Sequence, residues 1–136
     1  MRFDRFTAKL QQALSDAQSI AVGRDHSSIE TVHLLLALLQ QKDGSVSPLL
    51  KQAGANLANL DKKLSEQLER VATLKNPTGE VQVGQDLQRV FNLTDKLAQQ
   101  RQDQFIASEL VLLAIMDAGG DTAKSLQQSG VDKARL

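Results

Sequence analysis

The sequence predicts an all-α fold: two pseudo-symmetric tandem repeats of a four-helix unit, closed into one compact globular domain whose last helix is truncated. Three observations predict it. The first is an internal duplication. Sliding the 136-residue chain along itself by 77 positions pairs Leu10 with Leu87, Gln11 with Gln88, Ala21 with Ala98, Arg24 with Arg101 and Ile29 with Ile106. The same offset pairs Leu35-Leu36-Ala37 with Leu112-Leu113-Ala114. After a one-residue length change, an offset of 76 pairs Leu50, Gln52, Gly54, Ala58 and Leu60 with Leu126, Gln128, Gly130, Ala134 and Leu136. The second observation is that apolar residues in each copy recur at spacings of three and four, which puts them on one face of a helix. The third is composition: 41% apolar residues with only four Phe and no Tyr or Trp, so the core is aliphatic. Two copies are too few for an open solenoid, hence the closed domain.

The elements follow in order. In the first helix Leu10, Ala13, Leu14, Ala17 and Ala21 form the stripe, and the second copy repeats it as Leu87, Val90, Phe91, Thr94 and Ala98. Next comes a helix that is apolar nearly all round, Val32 to Leu39 and Leu110 to Met116, and such a helix belongs at the centre of a domain. Thr31 and Ser108 precede these runs as expected hydroxyl caps. The third helix is short, with Ser47 as cap, Pro48 in its first turn and Gly54 in the left-handed position after its end. Asp121 or Thr122 to Gly130 repeats that design. Asn56 caps a fourth helix bearing Leu57, Leu60, Leu64, Leu68 and Val71 and running to about Leu74. Its counterpart cap, Asp132, is followed only by Lys133 to Leu136, one turn of an eighth helix, as expected of a piece of a longer polypeptide. The organisation expected is a single domain over 1–136, with repeat 1 at 1–74, a connector at 75–85 and repeat 2 at 86–136. The connector KNPTGEVQVGQ carries Pro77, Gly79 and Gly84, with Val81 and Val83 available to pack on the domain surface.

Charge and composition exclude several classes of function. Lys+Arg and Asp+Glu are both 16, so net charge is zero and nothing marks a nucleic-acid or anionic membrane surface. With no cysteine there is no disulfide, redox centre or thiolate metal site. MRFDRFTAKL is too charged for a signal peptide's apolar segment, and the longest apolar run is the seven residues Leu110 to Met116, so a soluble cytoplasmic protein is expected.

No catalytic constellation emerges, and the expected protein is neither an enzyme nor a cofactor carrier. AGGDTAKS, at 118–125, resembles a phosphate loop only superficially, because Ala118 and Ala123 stand where the motif needs glycine and a helix precedes it where the motif needs a strand. His26 and His33 have no helical pairing with Glu that completes a metal site, and packed or capping histidines are the expectation. Ser45 and Ser47 lack the glycines of a nucleophile elbow.

The copies differ where function is expected. Leu93 replaces Asp16, Leu97 stands opposite Ile20, and Leu110 replaces His33. Val90, Leu93 and Leu97 form an apolar shoulder beside the helix stripe, with Leu110 nearby. Two readings stand: a partner-binding surface, or leucines covered by Val81 and Val83 of the connector or by the other unit.

MRFDRFTAKLQQALSDAQSIA, IETVHLLLALL, GSVSPLLKQAGA and QDLQRVFNLTDKLAQQRQDQFIASELVLLA identify the chain as similar to the Clp N-terminal repeat family along essentially its whole length. GSVSPLL and NLTDKLAQ look more like its disaggregase branch than its protease-linked unfoldases. The resemblance implies a mobile, non-catalytic module on a hexameric ATPase, with the hexamer built by the ATPase modules and the isolated domain a monomer. Such a module engages unfolded or aggregated polypeptides, in concert with the DnaK chaperone system; the protease-linked branch implies instead a docking platform for folded adaptors. It further implies substrate-handling roles for Thr7, Asp103 and Glu109, and an apolar groove at Leu93, Leu97 and Leu110. Phe3 and Phe6 stand where the family often has aliphatic residues, and Thr31 where it often has proline. Each polar residue also has a structural reading: Thr7 in the first turn of its helix, Asp103 in a turn, and Glu109 at the positive end of a helix dipole.

Overall fold

The computed structural model describes residues 3–136. After a 3-10 turn at Phe3–Arg5, the first unit runs through α1 (Ala8–Gly23), β1 (Ser28–Ile29), α2 (Thr31–Gln40), α3 (Val46–Gln52) and α4 (Leu57–Arg70). The second runs through β2 (Gln82–Val83), α5 (Gln85–Arg101), α6 (Ser108–Ala118) and α7 (Asp121–Gln128), and ends in a 3-10 turn at Lys133–Arg135 where the first unit has α4. The fold is therefore all-α, two copies of one helical unit, the second ending in a single 3-10 turn.

Burial follows the sequence pattern. Leu10, Ala13, Ala17 and Ala21 of α1 are buried, as are Leu87, Val90, Phe91, Thr94 and Ala98 of α5. Every residue from Thr31 to Leu38 is buried, which makes α2 the central helix of its unit, and α6 matches it with Leu110, Val111, Leu112, Ala114, Ile115 and Met116. α1 packs chiefly on α2 and α5 on α6, while α2 also meets α5 and α6 across the unit boundary.

The units are interlocked by exchanged backbone pairs. Thr7 N–H donates to the Ile106 carbonyl (3.0 Å), and Gly84 N–H, 77 positions on from Thr7, donates to the carbonyl of Ile29, 77 positions before Ile106 (2.9 Å). Each unit's entry segment thus pairs with the loop ahead of the other unit's central helix: β1 with β2 in parallel, Ser28 opposite Gln82 and Ile29 opposite Val83, and Phe6 with Ile106 as an isolated parallel bridge. A second exchange lies at the far end, where Asn56 N–H donates to the Ser129 carbonyl (2.8 Å) and Asp132 N–H to the Ala53 carbonyl (3.0 Å).

Several local expectations are corrected. Thr31 and Ser108 are the first residues inside their helices and are buried; the cap positions are Glu30, whose N–H is taken up by His33 Nδ1 at 2.8 Å, and Ala107, which has no side chain to cap with. Ser45 holds the cap position of α3, and the Ser47 hydroxyl bonds back to the Leu39 carbonyl at 3.2 Å. Helix α4 stops at Arg70 because the chain turns extended at Val71, whose neighbours then pair with the loop after α1. The segment ahead of α5 contributes β2, and Val81 and Val83 pack half-buried on the core. Asn56 and Asp132 cap as expected, accepting from Asn59 N–H (3.1 Å) and Ala134 N–H (3.0 Å).

Candidate functional site

The outer side of α5 carries the apolar shoulder. Leu93 and Leu97 are half-buried and packed against the core, each with part of its side chain open to solvent. Leu110 is 4% exposed, so it belongs to the core beneath the shoulder and not to an open ridge. Val81, expected as a cover, lies with Val22, Asp25 and Pro77 against the first unit.

Beyond the C-terminal end of α5 the chain makes a tight loop into α6. Gln102 adopts the left-handed conformation (φ 60°) and Asp103 N–H bonds to the Ala98 carbonyl at 2.9 Å, one residue beyond Leu97. Arg5 clamps this loop. Its Nε donates to the Gln104 carbonyl (3.1 Å), its second terminal nitrogen to the Asp103 carbonyl, and its guanidinium lies 3.7 Å from the Asp95 carboxylate, between Leu93 and Leu97 in sequence. A planar fork of donors suits this three-way grip, which a lysine cannot reproduce. The clamp holds out Phe105, 66% exposed and the most exposed large apolar residue described. Sequence reasoning missed Phe105, which sits inside the stretch DQFIAS with no periodicity to mark it as surface.

Thr7 is the N-cap of α1: its hydroxyl accepts from Leu10 N–H at 3.3 Å. Its N–H bonds to Ile106, which brings Thr7 beside the Asp103 loop. Glu109 is exposed in the first turn of α6 and accepts a bond from the Ser45 hydroxyl, tying it to the start of α3. Thr7, Asp103 and Leu97 are thus gathered at one end of α5. Glu109 adjoins Leu110 in sequence but faces α3.

The equivalent place in the first unit is chemically different. There His26 Nδ1 and His33 Nε2 lie 2.7 Å apart, and His33 Nδ1 accepts from Glu30 N–H. That acceptance puts the His33 proton on Nε2, which donates to His26. Burial holds His33 down at about 4 and also lowers His26. A hydrogen bond with Asp86, reinforced by burial, pushes the Glu30 carboxyl up to about 7. In the second unit Asp103, Ala107 and Leu110 occupy the positions of His26, Glu30 and His33, so the buried polar network is replaced by a core leucine and an aspartate at the surface. The largest described cleft, about 890 Å³, lies beside Glu30 and Asp86, away from the leucine shoulder. Among the described residues no helix is long and apolar enough to cross a membrane.

The family model for the Clp repeat (R) N-terminal domain matches residues 5–129. The chaperone protein ClpB of Pseudomonas putida is 54% identical over 136 residues, covering 100% of this chain and 16% of that protein. The chain therefore spans about a sixth of the length of the curated relatives it matches. Among solved structures, the Hsp104 N-terminal domain from Candida albicans superposes with a TM-score of 0.83 at 18% identity, over 96% of this chain and 85% of that one. A complex of the ClpV N-domain with a VipB peptide gives a TM-score of 0.75 at 19% identity, over 98% and 83%.

Proposed function

The chain belongs to the Clp repeat (R) N-terminal domain family, and on that premise we propose that it is the non-catalytic domain with which an ATP-dependent cytoplasmic chaperone binds unfolded or aggregated polypeptides for disaggregation. The observation that carries this reading is the half-buried pair Leu93 and Leu97 on α5, with exposed Phe105 in the loop that follows it, at positions where the first unit has Asp16, Ile20 and Ser28. Flexible apolar side chains accept varied sequences, as a binder of unfolded chains requires. The ClpV N-domain in complex with a VipB peptide supports a polypeptide as ligand for this fold. Hexamer assembly and work with the DnaK system belong, in this reading, to the rest of the protein, while the isolated domain is a monomer.

A second reading, docking of a folded adaptor, is favoured by the fixed polar frame of Arg5, Asp95 and the Asp103 loop. Titrating isotopically labelled domain with a reduced, carboxymethylated unfolded protein separates the two. Resonance shifts at Leu93, Leu97 and Phe105 are expected; their absence at saturating concentration, with shifts produced only by a folded partner, overturns the first reading.

A further inference from the structure

The first unit holds two buried histidines that the polypeptide-binding reading does not use. His26 and His33 are 3% and 0% exposed. They stand in a chain of two bonds, Glu30 N–H to His33 Nδ1 at 2.8 Å and His33 Nε2 to His26 Nδ1 at 2.7 Å. A backbone amide only donates, so the first bond requires a bare His33 Nδ1 and puts that ring's proton on Nε2. The second bond then requires a bare His26 Nδ1, with the proton of that ring on its own Nε2. Two neutral rings satisfy the chain in this one way.

A further proton has no place in the chain. On His26 Nδ1 it faces the proton on His33 Nε2. Moving the latter to Nδ1 relieves that clash and sets it against Glu30 N–H instead. A proton added directly to His33 Nδ1 faces Glu30 N–H at once. Every arrangement of the extra proton points two donors at each other in a buried place, and one of the two bonds must break.

The charged groups around the rings do not relieve this. Arg24, Asp25 and Glu69 surround His26, and Glu80 lines the small cavity beside it. His33 is faced by His26, Arg24 and Asp86. Among the described residues neither ring bonds to a carboxylate. The Glu30 carboxyl, pushed up to about 7, keeps its proton through the acid range and supplies no counter-charge there. Burial favours the neutral form of both rings.

The amide that His33 holds sits at a junction. Glu30 is the N-cap of α2, and the carbonyl of the preceding residue, Ile29, accepts from Gly84 N–H (2.9 Å) where β1 pairs with β2. We propose that the His26–His33 pair is an acid-sensitive latch on this junction: uptake of one proton breaks the hold on Glu30 N–H, frees the start of α2 and loosens the pairing of β1 with β2. The opposite junction, where Thr7 N–H donates to the Ile106 carbonyl, carries no such device, because Asp103 and Leu110 stand at the two histidine positions. Acid thus opens one side of a pseudo-symmetric domain. Gly84 is the N-cap of α5, so the latch acts on the first turn of the helix that bears Leu93 and Leu97.

NMR on the 136-residue chain tests this in two steps. At pH 7 the imidazole nitrogen shifts are expected to show Nδ1 bare and Nε2 protonated in both rings; a protonated His33 Nδ1 overturns the proposal. Amide exchange is then compared between pH 7 and pH 5, as protection relative to the unstructured rate at each pH. The opened junction binds the proton with the ordinary histidine value of 6.5, against about 4 for His33 in the closed form, so opening becomes easier as pH falls below 6.5. Protection of the Gly84 and Glu30 amides is expected to fall by roughly tenfold or more at pH 5 while that of Thr7 holds. Equal loss at Gly84 and Thr7 shows general unfolding, and no loss at Gly84 shows a junction indifferent to acid; either overturns the latch. Replacing both rings, His26→Gln with His33→Gln, keeps a chain of donors and acceptors but takes up no proton in this range, and is expected to abolish the difference between pH 7 and pH 5. A difference that survives in the double variant assigns it to other groups and overturns the proposal; where that variant does not fold, the tautomers and exchange of the parent chain decide.

Discussion

Gly54 and Gly130 meet back to back where the two units join: a Cβ on Gly54 falls 2.7 Å from the Gly130 carbonyl oxygen, and a Cβ on Gly130 falls 2.7 Å from that of Gly54. Both have positive φ, 101° and 97°. The flanking bonds from Asn56 to Ser129 and from Asp132 to Ala53 draw the two backbones together, so neither glycine can retreat without breaking the exchange. Gly54→Ala and Gly130→Ala are each expected to cost about 1–3 kcal/mol. Because each substitution strains the same contact, the double variant is expected to lose less than the sum. Urea denaturation measures all three, and an unchanged midpoint in either single variant shows that the junction yields freely.

The three leucines separate by burial. Leu93→Gln and Leu97→Gln place an amide where solvent still reaches and are expected to cost about 1 kcal/mol or less, while weakening capture of an unfolded protein. Leu110→Gln buries an unpartnered amide in the core and is expected to cost about 2–4 kcal/mol. Melting temperature measured beside binding distinguishes them: loss of binding by Leu93→Gln only in step with unfolding returns the shoulder to the core.

The repeat, the helix faces and the all-α fold were legible because periodicity over ten or more residues and an offset of 77 are global signals. What escaped was short or non-local. Two residues, Ser28 and Ile29, have no periodicity, and their partners Gln82 and Val83 lie in a stretch whose proline and glycines read as connector. Thr31 and Ser108 are good caps by residue type, but the helices begin one residue earlier, the first because His33 reaches back to Glu30 N–H. The site was legible in part. Comparing the copies exposed Leu93 and Leu97, whereas the burial of Leu110 depends on how α5 lies over α6. Phe105 becomes visible only beside its counterpart Ser28.

The first unit's polar network makes stability depend on pH in two opposing ways. His33, held near 4 when folded, takes a proton more readily once unfolded, so its contribution is complete above pH 6.5 and is lost as pH falls toward 4. Glu30, raised to about 7, holds its proton in the folded state, so its contribution is complete below about pH 4.5 and is lost as pH rises through 7. Glu30→Gln is expected to raise the melting temperature at pH 8 relative to the parent, with the difference vanishing near pH 4. A constant difference across that range shows that Glu30 does not titrate with folding.

Among the described residues, Arg5 is the one side chain whose bonds join the entry segment, α5 and the loop bearing Asp103 and Phe105. Its guanidinium is partly exposed, which screens the pairing with Asp95, so most of its worth lies in the charge-assisted bonds to the Asp103 and Gln104 carbonyls. Arg5→Ala is expected to cost about 1–2 kcal/mol. Arg5→Lys keeps the charge but loses the fork, and recovers little of that. Local exchange tells the clamp from a general stability effect: the Thr7 and Ile106 amides, which close the bridge beneath the loop, are expected to exchange faster in both variants, while the pseudo-equivalent Gly84 amide does not. If Thr7 and Ile106 keep their protection in Arg5→Ala, the loop is held by its own backbone bonds and Arg5 only covers it. If they lose it, Phe105 and Asp103 lose their fixed position too, and unfolded-protein capture is expected to weaken in Arg5→Ala even though Leu93 and Leu97 are untouched.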